Sequence, residues 1–307
     1  MAIDPRYQAQ VQLLVQVLPL VAQEKQFALK GGTAINLFVR PMPRLSVDID
    51  LAFTQVLPRA ETLSACAAAL DRIAAAIHKQ LGFAAQRQTN RADELRVWVS
   101  NGTSRIKIEI SPVLRGTLHP PELRRVVDVV EEEYGFAEMP VVSLADLYGG
   151  KICAALDRQH PRDWFDVLQL LDAKEFSRDI FLGFLVYLLG HPRPLSEVLC
   201  PRWKPMEQSF TAEFKGMVRQ DFPFELLEQT RDRLMDTIRQ HITPQDAEFL
   251  LSFKRKQPDW SLLPLKGVDA LPAVRWKLQN LAKMPEARHA EAVDKLETVL
   301  NQLLNRN

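Results

Sequence analysis

A short apolar strand that runs directly into two glycines is the feature that most restricts what this chain can form. Phe27-Ala28-Leu29 reads as a strand, and Lys30-Gly31-Gly32-Thr33 follows it without a spacer. From Thr33 to Phe38 the pattern is helical, and Pro41 and Pro43 end it because proline cannot continue a helix. Glycines at such a turn let backbone N–H groups approach a phosphate closely, and the helix dipole favours the anion. The same run also serves as a plain strand-to-helix turn, so by itself it leaves both readings open.

The next strand narrows the choice. Val47 to Phe53 alternates, and residues two apart in a strand share a face. Asp48 and Asp50 therefore project together, with Val47, Ile49 and Leu51 turned to the core. Two carboxylates held this close repel one another, and a divalent cation relieves the repulsion; oxygen-only ligation selects Mg²⁺ or Mn²⁺ over zinc. The alternative is an edge strand with two solvated acids. In the strand Arg105 to Ser111, Lys107 and Glu109 share one face opposite Ile106, Ile108 and Ile110. Beside the Asp48 strand, Glu109 would be a third carboxylate toward the same metal site; otherwise Lys107 and Glu109 form an ordinary surface pair.

Around these motifs the pattern is mixed. Residues 7–24 carry an amphipathic helix, and the alanine-rich run 60–80 a second. Strands at 94–100 and 105–111 flank Asn101-Gly102, a hairpin signal, and the valine-rich segment 124–130 is a candidate strand. From Ser143 onward helical patterns dominate. The expected fold class is α+β, a mixed sheet flanked by helices over 1–142 followed by a helical domain over 143–307.

Composition removes several function classes. With 47% hydrophobic and 25% charged residues and a net charge of +1, nothing global marks a nucleic-acid binder or a disordered acidic chain. Cys66, Cys153 and Cys200 form no C-x-x-C pair, and the histidines show no H-E-x-x-H or paired spacing, which argues against disulfide and zinc frameworks. The N-terminal run Met1-Ala-Ile-Asp-Pro-Arg lacks signal-peptide character, and no stretch approaches the ~18 apolar residues of a membrane helix, so a cytoplasmic protein is expected. Residues 251–290 are locally basic, with Trp260 and Trp276 nearby; they read as a solvated helical face or as an RNA-facing surface.

The ordered motifs resemble the AbiEii/AbiGii family of bacterial nucleotidyltransferase toxins, which includes the MenT toxins. The likeness is carried by Leu29-Lys30-Gly31-Gly32-Thr33-Ala34, by Arg44-Leu45-Ser46-Val47-Asp48-Ile49-Asp50-Leu51, by Lys107-Ile108-Glu109, and by Asp146-Leu147-Tyr148-Gly149-Gly150-Lys151 with Asp157, Arg158, Arg162, Asp163 and Asp166. Glu109 stands where an Asp is usual. The resemblance implies a polymerase-β-like core, with the helices at 143–172 completing its active site. It implies Asp48, Asp50 and Glu109 as ligands of Mg²⁺ or Mn²⁺, and Lys30, Gly31, Gly32, Thr33, Ser46 and Lys107 as holders of a nucleoside triphosphate. Lys151 would neutralise phosphate charge and Asp163 would join the catalytic set. Without the resemblance, Lys151 reads as a solvated helix lysine and Asp163 as a helix cap. The implied function is that of a toxin with a cognate antitoxin, adding nucleotides to the 3′ end of tRNA. A protein hydroxyl or a small molecule such as an antibiotic is an open alternative acceptor, and an inactive nucleotide-binding regulatory module an alternative of another class.

Overall fold

In the computed structural model, which describes residues 3–91 and 93–305, the chain divides into two compact units. The first comprises residues up to Ser143 together with Ser209–Phe222; the second comprises Leu144–Gln208 and the rest from Pro223. The segment 209–222 thus clusters with the first unit, although the sequence reading placed all of 143–307 in one helical domain. Its backbone ties account for this: Leu45 N–H donates to the Met217 carbonyl at 2.8 Å, and Asp4 N–H to that of Gly216 at 3.1 Å.

The first unit is built on a mixed sheet of seven strands among the described residues, in the order β3-β4-β5-β2-β1-β7-β6. Helix α1 (Pro5–Val21) starts at Asp4, whose side chain accepts from the Arg6 N–H, and Pro5 sits in its first turn. Strand β1 (Phe27–Lys30) enters the short helix α2 (Gly31–Ala34), which continues as a π turn through Ile35–Val39. Strand β2 (Asp48–Phe53) and the long helix α3 (Arg59–Leu81) follow, α3 closing on Gly82 in the left-handed region. Strands β3 (Ala84–Arg87), β4 (Arg96–Ser100) and β5 (Arg105–Arg115) form the antiparallel edge; β6 (Glu122–Arg125) and β7 (Glu138–Val141) form the other. β5 runs parallel to β2, and β1 antiparallel to it. One sheet face is apolar: Ile49, Leu51, Val97, Val99, Ile108 and Ile110 are buried, and α1 and α3 pack on these strands. The opposite face carries the acids.

The valine-rich segment 124–130 is not one strand. β6 ends at Arg125, and helix α4 (Asp128–Tyr134) begins after Val127. Val127 gives its N–H to the Leu37 carbonyl, while Asp128 and Glu131 favour the positive end of the new helix. Valine-rich composition is overridden here by a tertiary bond and by the acidic run that follows it.

The second unit is helical. Helices α5 (Leu144–Arg158), α6 (Pro161–Asp172), α7 (Arg178–Leu189) and α8 (Leu195–Leu199) lead to the brief turn α9 (Glu207–Ser209). After the excursion into the first unit come α10 (Phe224–His241), α11 (Pro244–Lys254), α12 (Pro272–Ala282) and α13 (Glu286–Leu304). α5 and α7 cross at Gly149 and Gly183: a Cβ on Gly149 would lie 2.5 Å from the Gly183 carbonyl carbon. The glycines of Gly149-Gly150-Lys151 therefore serve close helix packing.

Candidate active site

Sheet register assembles the acidic face of the first unit. Across the neighbouring strands β1, β2, β5 and β4, Lys30 pairs with Asp50, Asp50 with Glu109, and Glu109 with Arg96. One step along, Asp48 pairs with Lys107 and Lys107 with Trp98. Because side chains at matched positions share a face, these residues stand on the side opposite the core.

The glycine turn lies against the same carboxylates. Gly31 has φ 74°, and a Cβ there would come within 2.7 Å of Asp50 Oδ2. A side chain at Gly32 would meet Arg44 Nη2 at 2.7 Å and Ser46 Oγ at 2.9 Å. The backbone of the turn can approach Asp50, Arg44 and Ser46 only because both residues lack side chains. The buried Thr33 hydroxyl bonds the Asp48 carbonyl and lies 3.0 Å from Ser46 Oγ, so it fastens the turn to the start of β2. Asn36 Nδ2 donates to the Gly32 carbonyl at 2.9 Å, a second fastening. Buried Arg44 donates to the Leu45 carbonyl at 2.8 Å.

Glu109 is held differently from the aspartates' expected role. Its Oε1 accepts from Arg96 Nη2 at 2.5 Å, and its Oε2 lies 2.7 Å from Lys107 Nζ. Burial alone would raise its pKa; the Lys107 and Arg96 bonds outweigh burial and hold it below the usual value. Burial lowers the Lys30 pKa, against the opposing pull of Asp50 and Glu109. A cavity of about 430 Å³ opens here, lined among others by Lys30, Asp50, Arg91, Arg96, Glu109 and Ser111. Among the described residues no three carboxylate, imidazole or thiol groups converge to hold an ion, and both Glu109 oxygens face cations. The donor chemistry of Asp48 and Asp50 nevertheless fits a hard divalent cation, since carboxylates supply all-oxygen ligation, and Glu109 adds a third carboxylate on the same face, paired here with Arg96 and Lys107.

The sequence reading gave Arg44 no role beyond its place in the motif, and did not single out Arg91 or Arg96. Arg96 was accessible to it, since Arg96, Trp98 and Ser100 are the polar alternates of a predicted strand; its position opposite Glu109 was not.

In the second unit, Lys151 and Asp163 meet. Lys151 Nζ lies 2.8 Å from Asp163 and 2.9 Å from Asp166, and Arg158 Nε reaches Asp163 at 2.5 Å. Lys151 is 6% exposed, so it is not a solvated helix lysine. Nor is Asp163 the cap of α6: His160 fills that position and accepts from the Arg162 N–H. Burial would raise the Asp163 pKa, but the Lys151 and Arg158 charges drive it far down.

The basic stretch 251–290 is less available than its charge count suggests. Lys254 and Lys277 are buried, and Lys277 Nζ donates to the His191 and Arg193 carbonyls at 2.7 Å each. Trp260 packs on Phe249 at 5.6 Å, whereas Trp276 is exposed.

The family model described as nucleotidyl transferase AbiEii toxin, type IV toxin–antitoxin system, matches residues 12–280. The chain belongs to this family. It is accordingly a nucleotidyltransferase, the toxin of a type IV toxin–antitoxin system. No protein of curated function matches the sequence significantly. Among solved structures, the AbiEii chain is similar to MenT4, a nucleotidyltransferase toxin from Mycobacterium tuberculosis H37Rv, with a TM-score of 0.57 and 14% identity over 95% of this chain and 93% of that one. At that identity the likeness establishes the shared mixed α+β fold. Among the described residues no helix is long and apolar enough to cross a membrane.

Proposed function

We propose that this AbiEii toxin transfers a nucleotidyl group from a nucleoside triphosphate to the 3′ end of tRNA, on the sheet face that carries Asp48 and Asp50. The observation behind the site is the register row Lys30–Asp50–Glu109–Arg96, set beside a glycine turn whose backbone lies against Asp50. The tRNA acceptor and a cognate antitoxin partner rest on the family likeness.

In this reading the N–H groups of Gly31 and Gly32 face the triphosphate, with Lys30, Lys107 and Ser46 near its charge. Thr33 holds the turn through its bonds to Asp48 and Ser46. Asp48 and Asp50 would hold Mg²⁺ or Mn²⁺, with Glu109 as the further ligand. A divalent cation there would neutralise phosphate charge and make the acceptor hydroxyl more acidic. The acceptor oxygen attacks the α-phosphorus, the bond to the β-phosphate oxygen breaks, pyrophosphate leaves, and the hydroxyl proton passes to a site carboxylate. Lys151 and Asp163 enter the proposal on their motif likeness alone, Lys151 as a phosphate-neutralising group and Asp163 as its anchor.

The test is the full chain with Mg²⁺, total tRNA and each α-labelled triphosphate in turn. RNase-sensitive label is expected with at least one, and Asp48→Asn or Asp50→Asn should lower transfer about a hundredfold or more with the fold intact. Protease-sensitive or small-molecule label would replace the acceptor. Triphosphate binding without any transfer would mark an inactive module.

A further inference from the structure

Both oxygens of Glu109 are committed, Oε1 to Arg96 at 2.5 Å and Oε2 to Lys107 at 2.7 Å. On this face the carboxylates Asp48, Asp50 and Glu109 stand beside the cations Lys30, Lys107 and Arg96, with Arg105 two residues before Lys107 on the same strand. A divalent cation arriving at Asp48 and Asp50 competes with charges the protein already supplies.

The two counter-cations are built to exchange. The side chains of Arg96, Lys107 and Glu109 keep 27%, 21% and 33% of their exposure, and ion pairs with that much access to water are held weakly. Arg96 is also incompletely satisfied where it stands: among the described residues its Nε is buried with no hydrogen-bond partner, and its further guanidinium contacts, 3.5 Å to Glu94 and 6.0 Å to the Trp98 ring centroid, are long. A buried donor without a partner raises the energy of the pose that leaves it so. Arg96 lines the same cavity as Lys30 and Asp50, the one the proposed triphosphate would enter.

Resting on the proposed metal site, we infer that Arg96 is a positioning residue that holds Glu109 closed in the metal-free protein. When a divalent cation binds, Arg96 releases Glu109 and turns its guanidinium to the triphosphate in the cavity. Lys107 acts in the same sense on the other oxygen. Arg96 thus opposes metal binding until an anionic substrate offers it another partner.

Mn²⁺ titration of the full chain, followed by the electron paramagnetic resonance of free Mn²⁺ with neither triphosphate nor tRNA present, tests this without reference to activity. Arg96→Met should bind Mn²⁺ about fivefold more tightly than the unaltered chain, the equivalent of one exposed ion pair. Arg96→Gln, which keeps a polar side chain, should shift affinity in the same direction and serves if the methionine variant does not fold. Adding Glu109→Gln to either should remove the gain, because the freed carboxylate is its source. Unchanged or weaker Mn²⁺ binding in both Arg96 variants, with binding still lost in Asp50→Asn, would overturn the role of Arg96 and leave the metal site standing. Mn²⁺ binding indifferent to Asp50→Asn, or absent throughout, would overturn the site and this inference together.

Discussion

Lys151 and Asp163 are joined at 2.8 Å with 6% and 1% of their side chains exposed. Asp166 lies 2.9 Å from the same ammonium, and the largely exposed Arg158 closes on Asp163 at 2.5 Å. One buried lysine, with Arg158 at the surface, therefore balances two buried carboxylates that have left water.

Lys151→Met is expected to destabilise the protein by about 3–5 kcal/mol, since it strands buried charge. Urea unfolding at neutral pH measures this. The pH dependence has a definite sign. The Asp163 carboxyl titrates below its ordinary value of 3.8, so its contribution is complete above that pH and is lost as pH falls through the folded-state value. Asp163→Asn should flatten the acid limb of the stability curve; an unchanged slope would contradict the ion-pair account.

Gly31→Ala should cost about 1–2 kcal/mol from the left-handed backbone alone. The added methyl would also press on Asp50 Oδ2, which lies 2.7 Å from its ideal position. Transfer activity should fall by more than the stability loss explains, because the methyl stands between the turn and the carboxylate. A variant with normal turnover and an unshifted melting temperature would remove Gly31 from the site.

Gly149→Val should separate α5 from α7, since even a Cβ would lie 2.5 Å from the Gly183 carbonyl carbon. Overpacking of this kind costs about 1–3 kcal/mol or more, read as a lowered melting temperature. A glycine needed only for a phosphate turn would leave that temperature unchanged.

The thiols should divide by burial. Cys66 is pushed up to about 12 by burial against the opposing charge of Arg115, and Cys153 is pushed up further by burial. Cys200 is exposed. A disulfide reagent at neutral pH should modify Cys200 in the folded protein and all three thiols only in denaturant. Rapid native reaction of more than one would show that the buried pair is accessible.

Much of the first unit was legible in the chain. The hydrophobic spacing of 7–24 and 60–80 and the Asn101-Gly102 hairpin correspond to α1, α3 and the β4–β5 pair, within a few residues at the ends. Strands β3 and β7 were not legible: Ala84–Arg87 and Glu138–Val141 are short, carry little β-prone patterning, and owe their strand form to pairing, β3 with the next strand β4 and β7 with the distant β1. The return of 209–222 to the first unit was hidden because its ties to Leu45 and Asp4 are long-range backbone bonds that no side-chain pattern announces.

The Asp48-Ile49-Asp50 alternation determined by itself that both carboxylates leave β2 on one side, because a two-residue period is a local property of extended backbone. The glycine turn likewise declared itself at Gly31-Gly32. What faces those carboxylates was decided only by tertiary structure. Register across separate strands set Glu109 beside Asp50 and Arg96 beside Glu109, and helix packing closed Lys151 on Asp163 and Asp166. A carboxylate's neighbours are chosen by long-range pairing, and those neighbours determine whether it is free to act as a ligand or is held in an ion pair.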